Sequence, residues 1–250
     1  MGTVELLVAG GLILGAWLSH RVGHLIGRRF DPKDEAFGQQ LGLIRNATLA
    51  LVAFLVGFAF AGAGTRFIER ADLIVTEANA LGTAWLRADA LPDLQRGELK
   101  AALREYTEDR VAALGTNDSA EVQKRLDKVP GLHQSMWRAA MKGTESNAAL
   151  MLIVLPPLNE VIDLNTTHLA LARRHWPWPI MAVLLASVAL SYGLVGFGTG
   201  RSRRHFSALD SIYGVVLAIA MWMVIDLDYP RRGILQVQNT PLAETLDAMK

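Results

Sequence analysis

Four long stretches with almost no charge constrain this chain more than anything else in it: residues 4–26, 41–64, 176–200 and 206–225. The core of the first, LLVAGGLILGAWL, holds no charge, and the third has no charged residue at all. The second carries only Arg45, one turn inside its start, and the fourth only Asp210. Each is close to the ~20 residues that an α-helix needs to cross ~30 Å of hydrocarbon. In lipid, backbone amides must bond within their own segment, which a helix does and an open strand does not. A barrel would need many short alternating segments, and none are present. The expectation is an all-α polytopic membrane protein with four transmembrane helices. Residues 1–65 would hold helices one and two, and residues 176–228 helices three and four. Residues 66–175 would form a helical extramembrane domain continuing helix two, and residues 229–250 a tail.

Composition excludes several classes. The 250 residues carry a net charge of +1 and contain no cysteine, so disulfides, thiol chemistry and thiolate metal sites are excluded. The arginine pairs stand beside apolar blocks as membrane flanks do, not as a stripe facing nucleic acid. Glu5 precedes the first block, while Arg21, Arg28 and Arg29 follow it. That order is opposite to a cleaved signal peptide, so the block reads as a retained anchor. Trp176, Trp178 and Tyr192 around the third block, and Trp222 and Tyr229 near the end of the fourth, suit the membrane interface. Small residues recur: Gly11 with Gly15; Gly57, Ala61 and Gly64; and Gly193, Gly196, Gly198 and Gly200. They permit close helix approach in lipid, although the last group also suits a fraying helix end. Positive residues are nearly balanced between the two sides, with a higher density in the short loops, which weakly places those loops in the cytoplasm.

The middle of the chain is helical but amphipathic. Arg66, Glu69, Arg70, Asp72 and Glu77 carry helix two onward, and Pro92 breaks the path. Leu99, Leu103, Tyr106 and Leu114 recur at helical spacing among charges. Residues 116–119 read as a turn and N-cap, residues 132–155 as helix, and Pro156–Pro157 as an interruption. The apolar run 147–155 is too short to span a bilayer.

Polar groups concentrate in three places. EANALGTAWLRADALP contains Glu77, Asn79, Arg87 and Asp89; Asn159 and Asp163 share a helix face; Asp226 and Asp228 follow the fourth block. They read as buried ion pairs tying helices together, as a ligand or ion site, or as catalytic carboxylates such as Glu77 with Asp163. No HExxH, GxSxG, P-loop or GxGxxG motif occurs, and the histidines do not group with carboxylates at ligand spacing. No enzyme activity, cofactor or metal is expected. On the second block, Ala50, Phe54 and Phe58 are spaced by four and share one stripe. Such a stripe packs against a neighbouring helix or lipid, or, if several copies meet around an axis, forms an apolar throat of the kind that gates ions by dewetting.

FLVGFAFAGAGTR (54–66), EANALGTAWLRADALP (77–92), LNEVID (158–163) and DLDYPRRGILQVQNTPL (226–242) together resemble the bacterial bestrophin-like domain family. More remotely, FLVGF with a later arginine is similar to the second helix of bestrophin ion channels. Asp228, Pro230, Gly233, Pro241 and Leu242 are similar to the segment after their fourth helix. The resemblance implies a pentameric ion channel in a bilayer, with a neck at Ala50, Phe54 and Phe58 and the helical insert as a vestibule. It implies termini and insert in the cytoplasm, against the charge rule. Ala50 stands where a larger apolar residue is usual, and only Asp226 and Asp228 remain of the calcium-binding acidic cluster. The expected function is a homo-oligomeric ion channel of the bacterial inner membrane. The alternative is a non-conducting membrane scaffold or sensor whose helical domain binds a partner or small ligand.

Overall fold

The computed structural model describes residues 3–229 and 233–250; Pro230, Arg231 and Arg232, used above for the resemblance and the charge balance, lie outside the described residues. Among the described residues the chain forms nine α-helices and one short 3-10 turn, with no strand. It divides into two compact units, one of residues 1–67 and 175–235 and one of residues 68–174 and 236–250.

The first unit holds α1 (Thr3–Gly27), the first part of α2 (Glu35–Arg87), α7 (Trp178–Arg201) and α8 (Ala208–Asp228). Its core joins Val52, Val56 and Ala59 of α2 to Leu184, Val188 and Tyr192 of α7 and Leu217, Met221 and Val224 of α8. Helix α1 lies along α7 at a distance that only glycine allows. A Cβ on Gly196 would strike the His20 carbonyl, one on Gly200 the His24 carbonyl, and one on Gly23 the Gly193 carbonyl. The run from Gly193 to Gly200 is therefore a packing surface inside a continuous helix, not a frayed end. Gly11 and Gly15, by contrast, face open space. Tyr192 also differs from the interfacial role expected of it. It is buried, and its hydroxyl donates to the Asp210 carbonyl at 2.8 Å. A phenol away from water needs such an acceptor. The start of α8 is closed by a capping box between Ser207 and Asp210, which explains the one carboxylate in that apolar block.

The second unit contains the rest of α2, α3 (Asp93–Leu114), α4 (Ser119–Leu126), α5 (Val129–Thr144), α6 (Ala148–Ala172) and α9 (Thr240–Ala248). Leu81, Leu99, Leu103, Tyr106, Met136, Leu158 and Leu242 meet in its core. The tail is part of that core: Met249 is buried, and Arg104 donates to the Met249 carbonyl at 3.1 Å. Asp118 caps α4 through the Ala120 N–H and Asn147 caps α6 through the Ala149 N–H. The Asn147 cap also divides the expected helix 132–155 into α5 and α6.

Pro156 and Pro157 do not interrupt α6, which runs unbroken for 25 residues. A proline frees the carbonyl four residues earlier. The carbonyl freed by Pro157 is that of Ile153, and Arg87 donates to it at 3.0 Å. With α6 continuous, five helices among the described residues are long and apolar enough to cross a membrane: α1, α2, α6, α7 and α8.

The glycine seam makes a direct prediction. Gly196→Ala should destabilise the detergent-solubilised protein by about 1–3 kcal/mol through overpacking. Gly11→Ala, whose new methyl meets nothing, should be neutral or gain up to ~1 kcal/mol from helix propensity. Thermal unfolding followed by circular dichroism distinguishes them.

Candidate functional site

Helix α2 has two apolar faces with different fates. Val52, Val56, Ala59 and Ala63 are buried, whereas Ala50 is exposed and Phe54 and Phe58 are 69% and 65% exposed. At 3.6 residues per turn, the stripe of Ala50, Phe54 and Phe58 lies about 170° around the helix from the buried one. The protomer uses one side of α2 to build its core and leaves two aromatic rings uncovered on the other.

At the end of α8 two carboxylates collect partners. Asp226 accepts from the backbone N–H of Ile234 at 3.0 Å and of Leu235 at 2.9 Å. Gly233 sits so close that a Cβ there would overlap the Asp226 carboxylate. Asp228 accepts from Arg66 Nη2 at 2.9 Å and Nε at 3.2 Å, and from the Trp176 N–H at 3.0 Å. His175 Nδ1 lies 3.4 Å from the same carboxylate and 3.0 Å from the Asp228 carbonyl oxygen. The Arg66 guanidinium also lies over the Trp176 ring at 4.4 Å. One buried carboxylate thus fastens α2, the approach to α7 and the end of α8.

In the second unit, Glu77 is fully buried among four helices. Arg110 of α3 donates to both its oxygens at 2.7 and 2.8 Å, and the Tyr106 hydroxyl donates at 2.8 Å. His168 of α6 places Nε2 2.8 Å from Oε2, and the His133 ring of α5 packs on Tyr106 with centroids 5.4 Å apart. Burial alone would raise the Glu77 carboxyl. The His168 ring nitrogen beside it and the charge and bonds of Arg110 outweigh it and hold the group down at about 2, against 4.5 ordinarily. Burial, assisted by the Glu77 charge, pushes the Tyr106 phenol well above its ordinary value. Burial opposes the Arg110 charge, but Glu77 beside it raises the guanidinium overall. This geometry suits a structural lock. Every proton-bearing partner stabilises the carboxylate as an anion, and a general base must instead be free to take a proton.

The remaining polar residues are dispersed. Asn159 donates to Asp163 at 2.8 Å along the exposed face of α6, and Glu77 and Asp163 engage different partners. Asp89 pairs with Lys100 at 2.6 Å, Arg87 serves the Ile153 carbonyl, and Asn79 is exposed. Among the described residues, no three His, Cys, Asp or Glu side chains come together as a metal site. Sequence reading missed Tyr106, Arg110 and His168 as partners of Glu77. The i,i+4 spacing of Tyr106 and Arg110 on the apolar stripe of α3 was the available signal, since an arginine on a buried face requires an anion.

Removing one member of the Glu77–Arg110 pair leaves an uncompensated charge. Glu77→Gln and Arg110→Met should each cost about 3–5 kcal/mol, and the double variant far less than their sum. The depressed carboxyl adds a pH signature. Its contribution is complete above pH 4.5 and is lost as pH falls through about 2. Denaturant unfolding across that range should show a loss in the native chain that Glu77→Gln lacks.

The whole arrangement has known relatives. The model of the Bestrophin-like domain matches residues 14–242. A bacterial bestrophin homolog from Klebsiella pneumoniae, solved with one tryptophan changed to alanine, aligns over 100% of this chain and 97% of its own. That alignment has a TM-score of 0.69 and 14% identity. The same organism's homolog solved by Zn-SAD phasing aligns over 95% of each chain, with a TM-score of 0.63 and 15% identity. A crystal structure described as a membrane protein, with a leucine changed to alanine, aligns over 95% of this chain and 96% of its own. Its TM-score is 0.66 and its identity 12%. No curated protein matches the sequence. At such identities the structural likeness carries the fold, while the family model spans most of the sequence: the chain belongs to the Bestrophin-like domain family.

Proposed function

We propose that this membrane protein is an oligomeric ion channel or pore in which α2 lines the axis and Phe54 and Phe58 form an apolar constriction, with Ala50 beside them. The observation that carries this reading is the uncovered aromatic stripe, on the side of α2 away from its packed face. A stripe so placed either faces lipid or faces other copies of itself. The second choice turns two phenylalanines per copy into two stacked rings, narrow and apolar enough to gate by dewetting. Two of these solved relatives are named as bestrophin homologs, and the family resemblance favours five copies around the axis. The location that suits it is a bacterial inner membrane.

In this reading four helices span the bilayer, namely α1, the 41–64 part of α2, α7 and α8. Helix α6 has the length to span but holds Glu160 and Asp163 near its middle, both exposed. An acidic side chain at the bilayer centre costs about 2.5–3.5 kcal/mol on insertion scales, and two of them outweigh the apolar first half of α6. It shares its core with the strongly charged α3 and with α5. The roles of Asp226 and Asp228 are to anchor the end of α8. Those of Glu77, Arg87, Asp89, Asn159 and Asp163 are structural within the second unit, and Asn79 takes no part.

The test is conduction by the purified chain in planar bilayers. Unitary currents are expected, and Phe58→Ala or Phe54→Ala should raise them severalfold by widening the throat. Silent bilayers in several salts, from protein shown to be folded, would remove the channel and leave the non-conducting scaffold in its place. Currents indifferent to both substitutions would move the constriction elsewhere.

A further inference from the structure

The two short connections of the first unit, 28–34 after α1 and 202–207 after α7, form one basic platform. Arg201 joins them. It is buried, donates from Nε to the Asp31 carbonyl at 3.1 Å and from Nη2 to the Asp34 carbonyl, and lies over the Phe37 ring at 5.3 Å. Phe30 stacks on Phe37 at 5.3 Å and meets Phe197 of α7 at 5.1 Å. Gly27 is pressed against the Phe197 carbonyl, so the loop leaves α1 directly beside the end of α7.

On this platform Arg28, Arg29, Lys33, Arg203 and Arg204 are all exposed. Among the described residues none of these five side chains has an ion pair or a hydrogen bond. Three of the carboxylates nearby are already engaged by backbone. Asp31 accepts from the Lys33 N–H at 2.9 Å, Asp34 from the Phe37 N–H at 3.0 Å, and Asp210 closes the Ser207 capping box. The carbonyls at the end of α7 are also satisfied without the arginines. The Arg203 N–H bonds Gly200 and the Arg204 N–H bonds Thr199, each at 3.0 Å. That C-terminal turn puts Arg203 at φ 55, a left-handed conformation usually given to glycine. The turn would close more easily with glycine, yet an arginine stands there with its guanidinium unused.

Unspent guanidiniums on a rigid surface are a receptor for planar or tetrahedral oxyanions, above all phosphate, which arginine grips with two parallel N–H donors. The neighbours add a second requirement. Phe30, Phe206 and Leu209 are exposed beside the cations. A ligand matching both would carry its phosphate next to hydrocarbon. We propose that residues 28–33 and 203–204 form a phosphate-binding site whose occupant is the headgroup of an anionic phospholipid. Such segments attract anionic lipid through each Lys or Arg near the surface. The site sits at one end of α1 and α7 and does not depend on conduction.

The full chain in uncharged detergent would be melted with phosphatidylglycerol, phosphatidylcholine or inorganic phosphate. Phosphatidylglycerol should raise the midpoint by several degrees and phosphatidylcholine should not. The triple variant R29Q/R203Q/R204Q should lose most of that rise, while K124Q/R138Q/K142Q, which removes equal charge from the second unit, should keep it. An equal rise with inorganic phosphate keeps the phosphate site and assigns it to a free anion. Equal rises with both lipids, or an undiminished rise in the triple variant, overturn the proposal. If the triple variant does not fold, native mass spectrometry of the unmutated chain decides. Retention of phosphatidylglycerol over phosphatidylcholine supports the site, and no preference overturns it.

Discussion

A single carboxylate, Asp228, holds the ends of the apolar helices together. It has almost no contact with solvent, and Arg66, the Trp176 amide and His175 all converge on it. Helices in lipid lack the hydrophobic drive that packs helices in water, because acyl chains are as apolar as leucine. What then selects one arrangement is close backbone approach and polar pairing. This unit uses both: the glycine seam of α1 and α7 at one end, and the Asp228 cluster where α8 finishes. Breaking a buried pair costs more than forming it gains, so the cluster acts as a specificity device at least as much as a source of stability.

The same logic recurs along α2. Its buried residues advance by steps of three and four through Val52, Val56, Ala59 and Ala63 in the first unit, and again through Ile74, Glu77, Leu81, Ala84 and Ala88 in the second. Helix α2 therefore gives each unit a packing stripe of helical period, with a cation for the first unit's carboxylate and an anion for the second unit's guanidinium. That division explains why the helix stays unbroken after its apolar part ends. In the second unit a buried face of helical period remains while charged residues enter the rest of the surface.

The all-helical character and the apolar blocks were legible because each depends on residues adjacent in the chain. Hydropathy over twenty residues is a local quantity, and so is the cap at Asp118, whereas the cap at Asn147 was hidden inside a stretch, 132–155, whose pattern reads as one helix. The partners of Glu77 were not legible, because Arg110 and His168 are set by the meeting of α3 and α6 with α2. The continuity of α6 was hidden for a related reason. Pro157 does free a carbonyl, as local rules require, but Arg87 from a distant turn satisfies it. Gly11 and Gly15 carried the familiar motif and meet nothing. Gly196 and Gly200, also four apart, press on His20 and His24. Spacing identifies which glycines could approach another helix, and only the fold decides which do. As for the candidate site, the stripe of Ala50, Phe54 and Phe58 was visible as a period of four, while its exposure was not.

That exposure bears on why the stripe is aromatic. A leucine stripe facing lipid would serve the bilayer equally well, and most exposed apolar residues of α1, α7 and α8 are aliphatic, such as Leu7, Ile13, Val183, Leu190, Ile212 and Val216. On α2 the uncovered side alternates bulk with its absence. Phe54 and Phe58 stand beside Gly57 and Ala61, and a Cβ on Gly57 would meet nothing in the protomer. Large flat rings beside a glycine and an alanine give this face ridges and hollows. They are well suited to a second, identical surface, where the ring of one copy can lie over the glycine of another. Helices that associate in lipid do so through such small positions. The composition of this face therefore argues for protein contact over lipid contact, on grounds independent of the family to which the chain belongs.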